Sequence, residues 1–347
     1  ADEVDRRLAA TGLPHLAHGA MDAEHLAHAD LRFAGMLGQL ARHLQRHAGH
    51  PVEQLSVRRS RFADWRILVL VEHAHAEVGM AAVQLAVMLL GPQPAAFAAN
   101  HPRFQAFARG RVMPESLAAI ARAAERRDIP SLVLSRPPLD SVLRDVAARP
   151  GGSLLQLGQG ARRQLFDSSV NLGGDSSRMA EAAGDLVDAT YPDTPAARIP
   201  VVAVTGTNGK TTTTRMIAHV LDQAGFHTGV VTSEGIRLAR GPVAGGDSAT
   251  FVGHARVLTE PAIDAAVLET HHRGIVIRGF AFQHCDVGVC LNVSADHLAP
   301  GEIETLEEMA DVKAAVPERA SGAAILFADD PFCRAMAPRL GAASTWW

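Results

Sequence analysis

Lysine is almost missing from this chain of 347 residues: only Lys210 and Lys313 occur, although lysine and arginine together number 33. Tyrosine occurs once and cysteine three times. Cys285, Cys290 and Cys333 are too few for a disulfide framework and show no CxxC spacing, so they read as reduced thiols of a cytoplasmic protein. No secretory leader is visible, and the longest apolar stretch, residues 80–90, is interrupted by Gln84 and fits a buried helix better than a membrane span. A formal charge of −4 gives no general reason to expect a nucleic-acid partner. Seventeen histidines are scattered, His15, His18, His25, His28, His43 and His47 among them. Without acidic or cysteine partners at ligand spacing they read as surface residues rather than a metal site.

What is present describes a globular α/β protein. Apolar residues make up 47 % and charged residues 20 %, enough for buried cores and against disorder. Residues 1–60 show helical spacing and no clear strand. Ile67 to Val71 reads as a short buried strand, followed by a helix from about Glu77 to Leu90. Pro114-Glu115-Ser116 opens a further helix through Arg127, and Ser131 to Leu134 reads as a strand. Residues 150–200 are turn-rich, with Gly151-Gly152-Ser153, Asn171 to Ser177, and Tyr191 to Pro195 as a linker. The domains expected are 1–150, a small α/β domain; 151–197, a remnant and linker; and 198–347, a P-loop-type sheet flanked by helices.

The informative segment is Thr205-Gly206-Thr207-Asn208-Gly209-Lys210-Thr211-Thr212. It follows the apolar strand 201–204 and opens a helix from Lys210 to about Gln223, with Gly225 ending it before the strand 228–232. Glycines let backbone N–H groups converge, and a helix N-terminus favours phosphate. Lys210 would reach the β- and γ-phosphates of ATP, and the Thr211 hydroxyl would meet Mg²⁺. Arginine cannot replace a compact ammonium there. Ala265 to Thr270 is an apolar strand that delivers Glu269 at its carboxyl end, a common place for a Mg²⁺ ligand. Cys285 to Ser294 is another strand, leading to Asp296 and His297. A helix from Thr305 to about Val316, opened by the capping box Thr305-x-x-Glu308, carries Lys313. Taken singly, Glu269 is a solvated strand end, His297 a loop residue and Lys313 a surface lysine.

The short glycine loop resembles that of the Mur ligases and folylpolyglutamate synthetases, which join a carboxylate to an amine through an acyl phosphate. A more specific resemblance, to cyanophycin synthetase, rests on 198–214, Ala266-Val267-Leu268-Glu269-Thr270, Asn292 to Leu298, Thr305 to Lys313 and Ala328-Asp329-Asp330-Pro331. Weaker likeness extends upstream through Glu77 to Ala82 and Leu154 to Arg163. The resemblance implies a Mur-type central domain in which Thr205 to Thr212 bind ATP, and Thr211, Glu269 and His297 bind magnesium. Lys210, Lys313 and His297 would be catalytic, and in Mur ligases a lysine in the region of Lys313 is often carbamylated. It implies activation of an aspartyl side-chain carboxylate for attack by the amine of arginine. The partners would be ATP, arginine and an aspartate-backbone peptide or cyanophycin, in a homo-oligomer without nucleic acid or membrane.

Several positions depart from that pattern. Only some twenty residues stand between Arg163 and about Ala182, where the family has most of an ATP-grasp domain. The chain stops at Trp346-Trp347, where a Mur ligase continues into a third domain, so a truncated relative is expected. His271-His272-Arg273-Gly274 replaces Ala-Arg-Gly-Gly, and Phe327 stands where asparagine is usual near adenine. The alternative to a ligase is a non-catalytic relative that binds nucleotide or acts as structural partner of a full-length synthetase.

Overall fold

The computed structural model describes residues 28–60, 66–91, 94–134, 154–239, 241, 244–246, 248–296, 298, 303–341 and 344–346. Its contacts divide the chain into two compact units, Ala1–Pro114 and Glu115–Trp347.

In the first unit, apolar residues recur every three to four positions along Ala29–His47, and this segment is helix α1. An antiparallel hairpin follows, β1 (Leu55–Arg59) with β2 (Ile67–Val71), in which Leu55 faces Val71 and Arg59 faces Ile67. Helices α2 (Ala76–Leu90) and α3 (Pro94–Arg109) complete the described part. Leu40 and Leu44 of α1 pack with Val78, Leu85 and Leu89 of α2 and Phe97 of α3, all buried. Strand β1 was not anticipated: with Ser56, Arg58 and Arg59 it offers only two apolar residues, although their alternation has the period of a half-buried strand. Strand β2 is likewise only half-buried, not the buried strand expected.

The second unit begins with α4 (Glu115–Arg126) and an antiparallel sheet of β3 (Ser131–Leu134), β4 (Leu154–Leu157) and β5 (Gln164–Asp167). Helix α5 (Ser176–Thr190) comes next. The turn-like run before it is the helix cap: Asp175 Oδ1 accepts from the N–H groups of Ser177 and Arg178, both at 3.0 Å.

The larger sheet follows. In chain order its elements are β6 (Val201–Thr205), α6 (Lys210–Gln223), β7 (Thr228–Thr232), β8 (Gly235–Arg237), β9 (Ala244–Gly245), α7 (Phe251–Leu258), β10 (Ala265–Glu269), α8 (His272–Arg278), β11 (Cys285–Cys290), α9 (Leu306–Ala314), β12 (Ala320–Leu326), α10 (Pro331–Met336) and β13 (Ser344–Trp346). The strand order is β13-β12-β11-β6-β10-β7-β8-β9. Strands β13 to β7 run parallel, and β8 and β9 add an antiparallel edge. Helices cover both faces, which is why β6, β7 and β10 read as continuous apolar runs. One face buries Val201, Ala203, Val231, Ala266 and Leu268; the other buries Val204, Val230, Val267 and Val289 with Ala218 of α6. No helix among the described residues is long and apolar enough to cross a membrane.

The small sheet is locked to the segment that leads into β10. Gln156, 1 % exposed, donates from Nε2 to Gly158 O (2.9 Å) and Leu258 O (3.0 Å), and Ala161 N–H donates to Ile263 O at 2.7 Å. The single tyrosine, Tyr191, donates to Leu157 O or Arg162 O, 2.9 and 2.7 Å away, and burial pushes its hydroxyl up to about 12. Gly160 makes the close approach possible. It has φ +51°, and a Cβ there would lie 2.3 Å from Ile263 O. Gly160→Ala should therefore lower stability by about 2 kcal/mol or more, from left-handed backbone strain plus the clash. Urea denaturation of the two proteins reads this directly, and equal midpoints would refute it.

Candidate functional site

Parallel strands place their carboxyl ends along one edge, and four of them meet here: β6, β10, β7 and β11. Strand β6 ends at Thr205, whose Oγ1 donates to Thr270 O beyond β10 at 2.9 Å. The chain then turns at Gly206 (φ +149°), where a Cβ would come within 3.0 Å of Leu291 Cβ. Gly209 (φ +85°) precedes the first residue of α6 in left-handed conformation. Both glycines are thus required by the backbone path.

Asn292, just past β11, fastens the loop. Its main-chain oxygen and Oδ1 both accept from Thr207 N–H (2.9 and 3.0 Å), Oδ1 also accepts from Asn208 N–H (2.9 Å), and Nδ2 donates to Asn208 O (3.2 Å). Two of the loop N–H groups expected to meet phosphate are therefore used internally. Those opening α6 have no intrahelical acceptor.

Both lysines converge on Thr207. Lys210 Nζ donates to Thr207 O at 2.7 Å, and Lys313 Nζ to Thr207 Oγ1 at 2.8 Å. Thr207 Oγ1 also accepts from Ser294 N–H at 2.9 Å. Lys313, 2 % exposed, is pushed down to about 8 by burial, with Lys210 adding to the shift and Cys290 and Asp296 opposing it. Lys210 is lowered by burial, with Glu269 and Asp296 opposing. The surface-lysine alternative for Lys313 is thereby excluded.

Glu269, 1 % exposed, forms the acidic corner. Its Oε2 accepts from Thr211 Oγ1 (2.8 Å) and Ser233 N–H (3.1 Å), and the hydroxyls of Thr211 and Ser233 are 3.1 Å apart. His254 of α7 donates from Nε2 to Glu269 O at 2.8 Å; burial pushes its imidazole down to about 4, so it stays neutral. Among the described residues no three His, Cys, Asp or Glu side chains are placed to hold a metal. One carboxylate with two hydroxyls is nevertheless an oxygen set that suits Mg²⁺, which retains several of its waters.

The loop residues Thr205 to Thr212, Glu269 and Lys313 are thus brought together, whereas His297 lies outside the described residues. Sequence reasoning missed Ser233, His254 and Asp330. Ser233 follows β7 as Thr270 follows β10, so its place beyond a parallel strand was the available signal. Asp330 lay inside a recognised motif, and Asp before Pro331 is a helix-cap signal: Oδ1 accepts from Phe332 and Cys333 N–H (both 2.9 Å), while the contact of Oδ2 with Val293 N–H (2.8 Å), 37 residues away, had no local signal. Phe327, one residue beyond β12, is 49 % exposed. His271 Nδ1 accepts from Arg273 N–H at 3.3 Å and caps α8, its ring 4.1 Å from that of His272 between centroids.

The family model described as the Mur ligase middle domain matches residues 204–345. A cyanophycin synthetase of Geminocystis herdmanii is 46 % identical over 157 residues, 45 % of this chain and 18 % of that protein. Another, of Trichormus variabilis, is 37 % identical over 217 residues, 61 % of this chain and 22 % of that protein. Each match therefore spans about a fifth of the relative's length. A solved UDP-N-acetylmuramoyl-L-alanyl-D-glutamate–2,6-diaminopimelate ligase overlaps 48 % of this chain and 35 % of its own at 24 % identity, TM-score 0.35. The resemblance read from the motifs is borne out.

Asn292→Ala should speed amide exchange at Asn208 at least about tenfold, as it loses an acceptor worth roughly 1–3 kcal/mol, and at Thr207 less, since the main-chain oxygen of residue 292 remains; proton exchange by NMR measures it. Lys313 has a pH signature. Between its folded value of about 8 and the ordinary 10.5, the unfolded chain holds more protons, so its contribution to stability rises with pH across that window. The stability of wild type relative to Lys313→Met, followed by denaturation from pH 7.5 to 10.5, should therefore increase.

Proposed function

We propose that residues 198–347 carry the nucleotide site of an ATP-dependent carboxylate–amine ligase of the cyanophycin synthetase and Mur ligase type. The observation that supports this best is the pairing on Thr207 of buried Lys313 and half-buried Lys210 with the Thr211, Ser233 and Glu269 oxygens. One side offers ammonium groups for phosphate, the other hard oxygen donors for a divalent cation. An ordinary glycine turn between strand and helix needs neither.

On this reading Lys210 exchanges Thr207 O for the β- and γ-phosphate oxygens of ATP. Lys313 holds Thr207, and with it the curvature of the loop. Thr211, Glu269 and Ser233, with His297 by resemblance, would hold Mg²⁺, which supplies neutralisation of phosphate charge when bound. A carboxylate oxygen of the acceptor attacks the γ-phosphorus and ADP departs. The acyl phosphate carbon is then attacked by an amine, phosphate leaves, and an amide remains. This is positioning and charge stabilisation rather than covalent participation by the protein. By analogy with the cyanophycin synthetases, the acceptor is an aspartyl side-chain carboxylate in a peptide and the amine that of arginine, in a homo-oligomeric cytoplasmic enzyme.

Calorimetric titration with Mg²⁺ and a non-hydrolysable ATP analogue tests the site. Wild type should bind saturably, Lys210→Ala about tenfold to a hundredfold more weakly, consistent with losing one charge-assisted hydrogen bond. Glu269→Gln should retain metal-free binding and lose its Mg²⁺ enhancement. A folded wild type without saturable binding would instead identify a non-catalytic relative.

A further inference from the structure

Two thiols that the ligase chemistry leaves unused lie directly beneath the phosphate loop. Cys290 ends β11 and stands opposite Thr205 in the parallel register. The next residue donates Leu291 N–H to Thr205 O at 3.0 Å, and the one after is Asn292, which fastens Thr207 and Asn208. Cys333 lies on α10, beside the Asp330 carboxylate that holds Val293 N–H. The two Sγ atoms are 3.7 Å apart. Both side chains are buried, 1 % and 0 % exposed, among Val293, Met309, Leu326 and Met336.

A buried thiol is ordinarily inert, because burial disfavours the reactive thiolate. Here each thiol has a neighbour that changes this. The sulfur–sulfur hydrogen bond, then burial, push Cys290 well above the usual thiol value. The same hydrogen bond pulls Cys333 down, against burial and Asp330. Lys313 is close enough for its charge to act on both sulfurs. The first proton therefore leaves the pair as from one acid, its charge shared between the two sulfurs. Cys285, at the other end of β11, lacks such a partner; burial first, and Asp286 next, push it up to about 12.

We propose that Cys290 and Cys333 form an oxidisable dithiol, and that closing it to a disulfide disturbs the Asn292 fastening and weakens the phosphate loop above it. The oxidant is hydrogen peroxide, small enough to enter when the six-residue α10 opens locally. The thiolate of the pair attacks one peroxide oxygen, the O–O bond breaks, and a sulfenic acid forms as hydroxide leaves. The other sulfur then attacks the sulfenic sulfur; the S–S bond forms, the S–O bond breaks, and water carries off the second thiol's proton. Two thiols and one peroxide give a disulfide and two waters, sulfur being oxidised and peroxide oxygen reduced. To bring the sulfurs to bonding distance, α10 and the end of β11 must approach by more than 1 Å. Asp330 and Asn292, which grip the two sides of 291–294, move with them. The effect on nucleotide rests on the ligase reading; the disulfide and the loop change do not.

Full-length protein, treated with hydrogen peroxide and then alkylated, tests all three. Mass mapping should show a cross-linked 290–333 peptide lighter by two hydrogens, with Cys285 still alkylatable. Hydrogen exchange should quicken across 204–212 and 291–294, and affinity for the Mg²⁺-loaded ATP analogue should fall at least about fivefold, as for a modest coupling between sites. Dithiothreitol should reverse each change. Cys333→Ala and Cys290→Val, made singly so that either serves if the other fails to fold, should show none of them. Two thiols that stay alkylatable after peroxide, or a disulfide with unchanged exchange in both segments, would overturn the proposal. Reduced wild type that binds no nucleotide would instead sink the ligase reading, with the mass and exchange arms still deciding this one.

Discussion

Everything at the site depends on the parallel register of β7, β10, β6 and β11. Val230 pairs with Val267, and Val202 pairs with both Val267 and Val287, so the four strands end nearly level. A residue one or two positions past any of them then lies within hydrogen-bonding reach of its neighbours. Thr205 reaches Thr270, Ser233 reaches Glu269, and Asn292 reaches Thr207. A shift of one position in β10 would point Glu269 to the opposite face of the sheet and remove the acidic corner altogether. The apolar sequences of these strands, buried on both faces, hold that register.

Electrostatics follows from this geometry. Two ammonium groups held on one threonine repel each other, and burial penalises both. Glu269 and Asp296 offset part of that cost for Lys210, and Cys290 and Asp296 for Lys313. The burial cost that these groups leave uncovered is one that a polyphosphate beside the ammonium groups would offset. Lys210 is the lysine free to respond, since its contact is with a main-chain oxygen three residues away on the same loop. Lys313 joins α9 to the loop across 106 residues of sequence, so its movement would require that of a helix.

Much of this was legible in the sequence where one segment supplies both signal and site. Helix α6 begins at Lys210 and ends at Gln223 as its glycines imply, Glu269 stood out at a strand's carboxyl end, and Lys313 was singled out only by the resemblance and the scarcity of lysine. What escaped has a common cause. Strand β1 carries too little apolar content, and helix α5 hides behind a capping run that looks like a turn. The bonds of His254 to Glu269 O and of Asp330 to Val293 N–H join residues 15 and 37 positions apart, which no local pattern announces. The fastening by Asn292 was unforeseen for the same reason, although the residue itself lay inside a recognised motif.

The segment expected to be a remnant and linker bears on the site through β10. Ahead of this strand, Ile263 O is held by Ala161 N–H, and Leu258 O by Gln156. At its far end, Glu269 O is held by His254, which belongs to α7, the helix that ends at Leu258. Strand β10 is thus gripped at both ends by groups that meet at α7 and the small sheet. A neutral, fully buried imidazole suits this position, since it donates one hydrogen bond without placing a charge beside the carboxylate. Loosening β4 or the 160–162 turn would accordingly be felt at Glu269, through the strand that carries it, with no contact between the small sheet and the phosphate loop required.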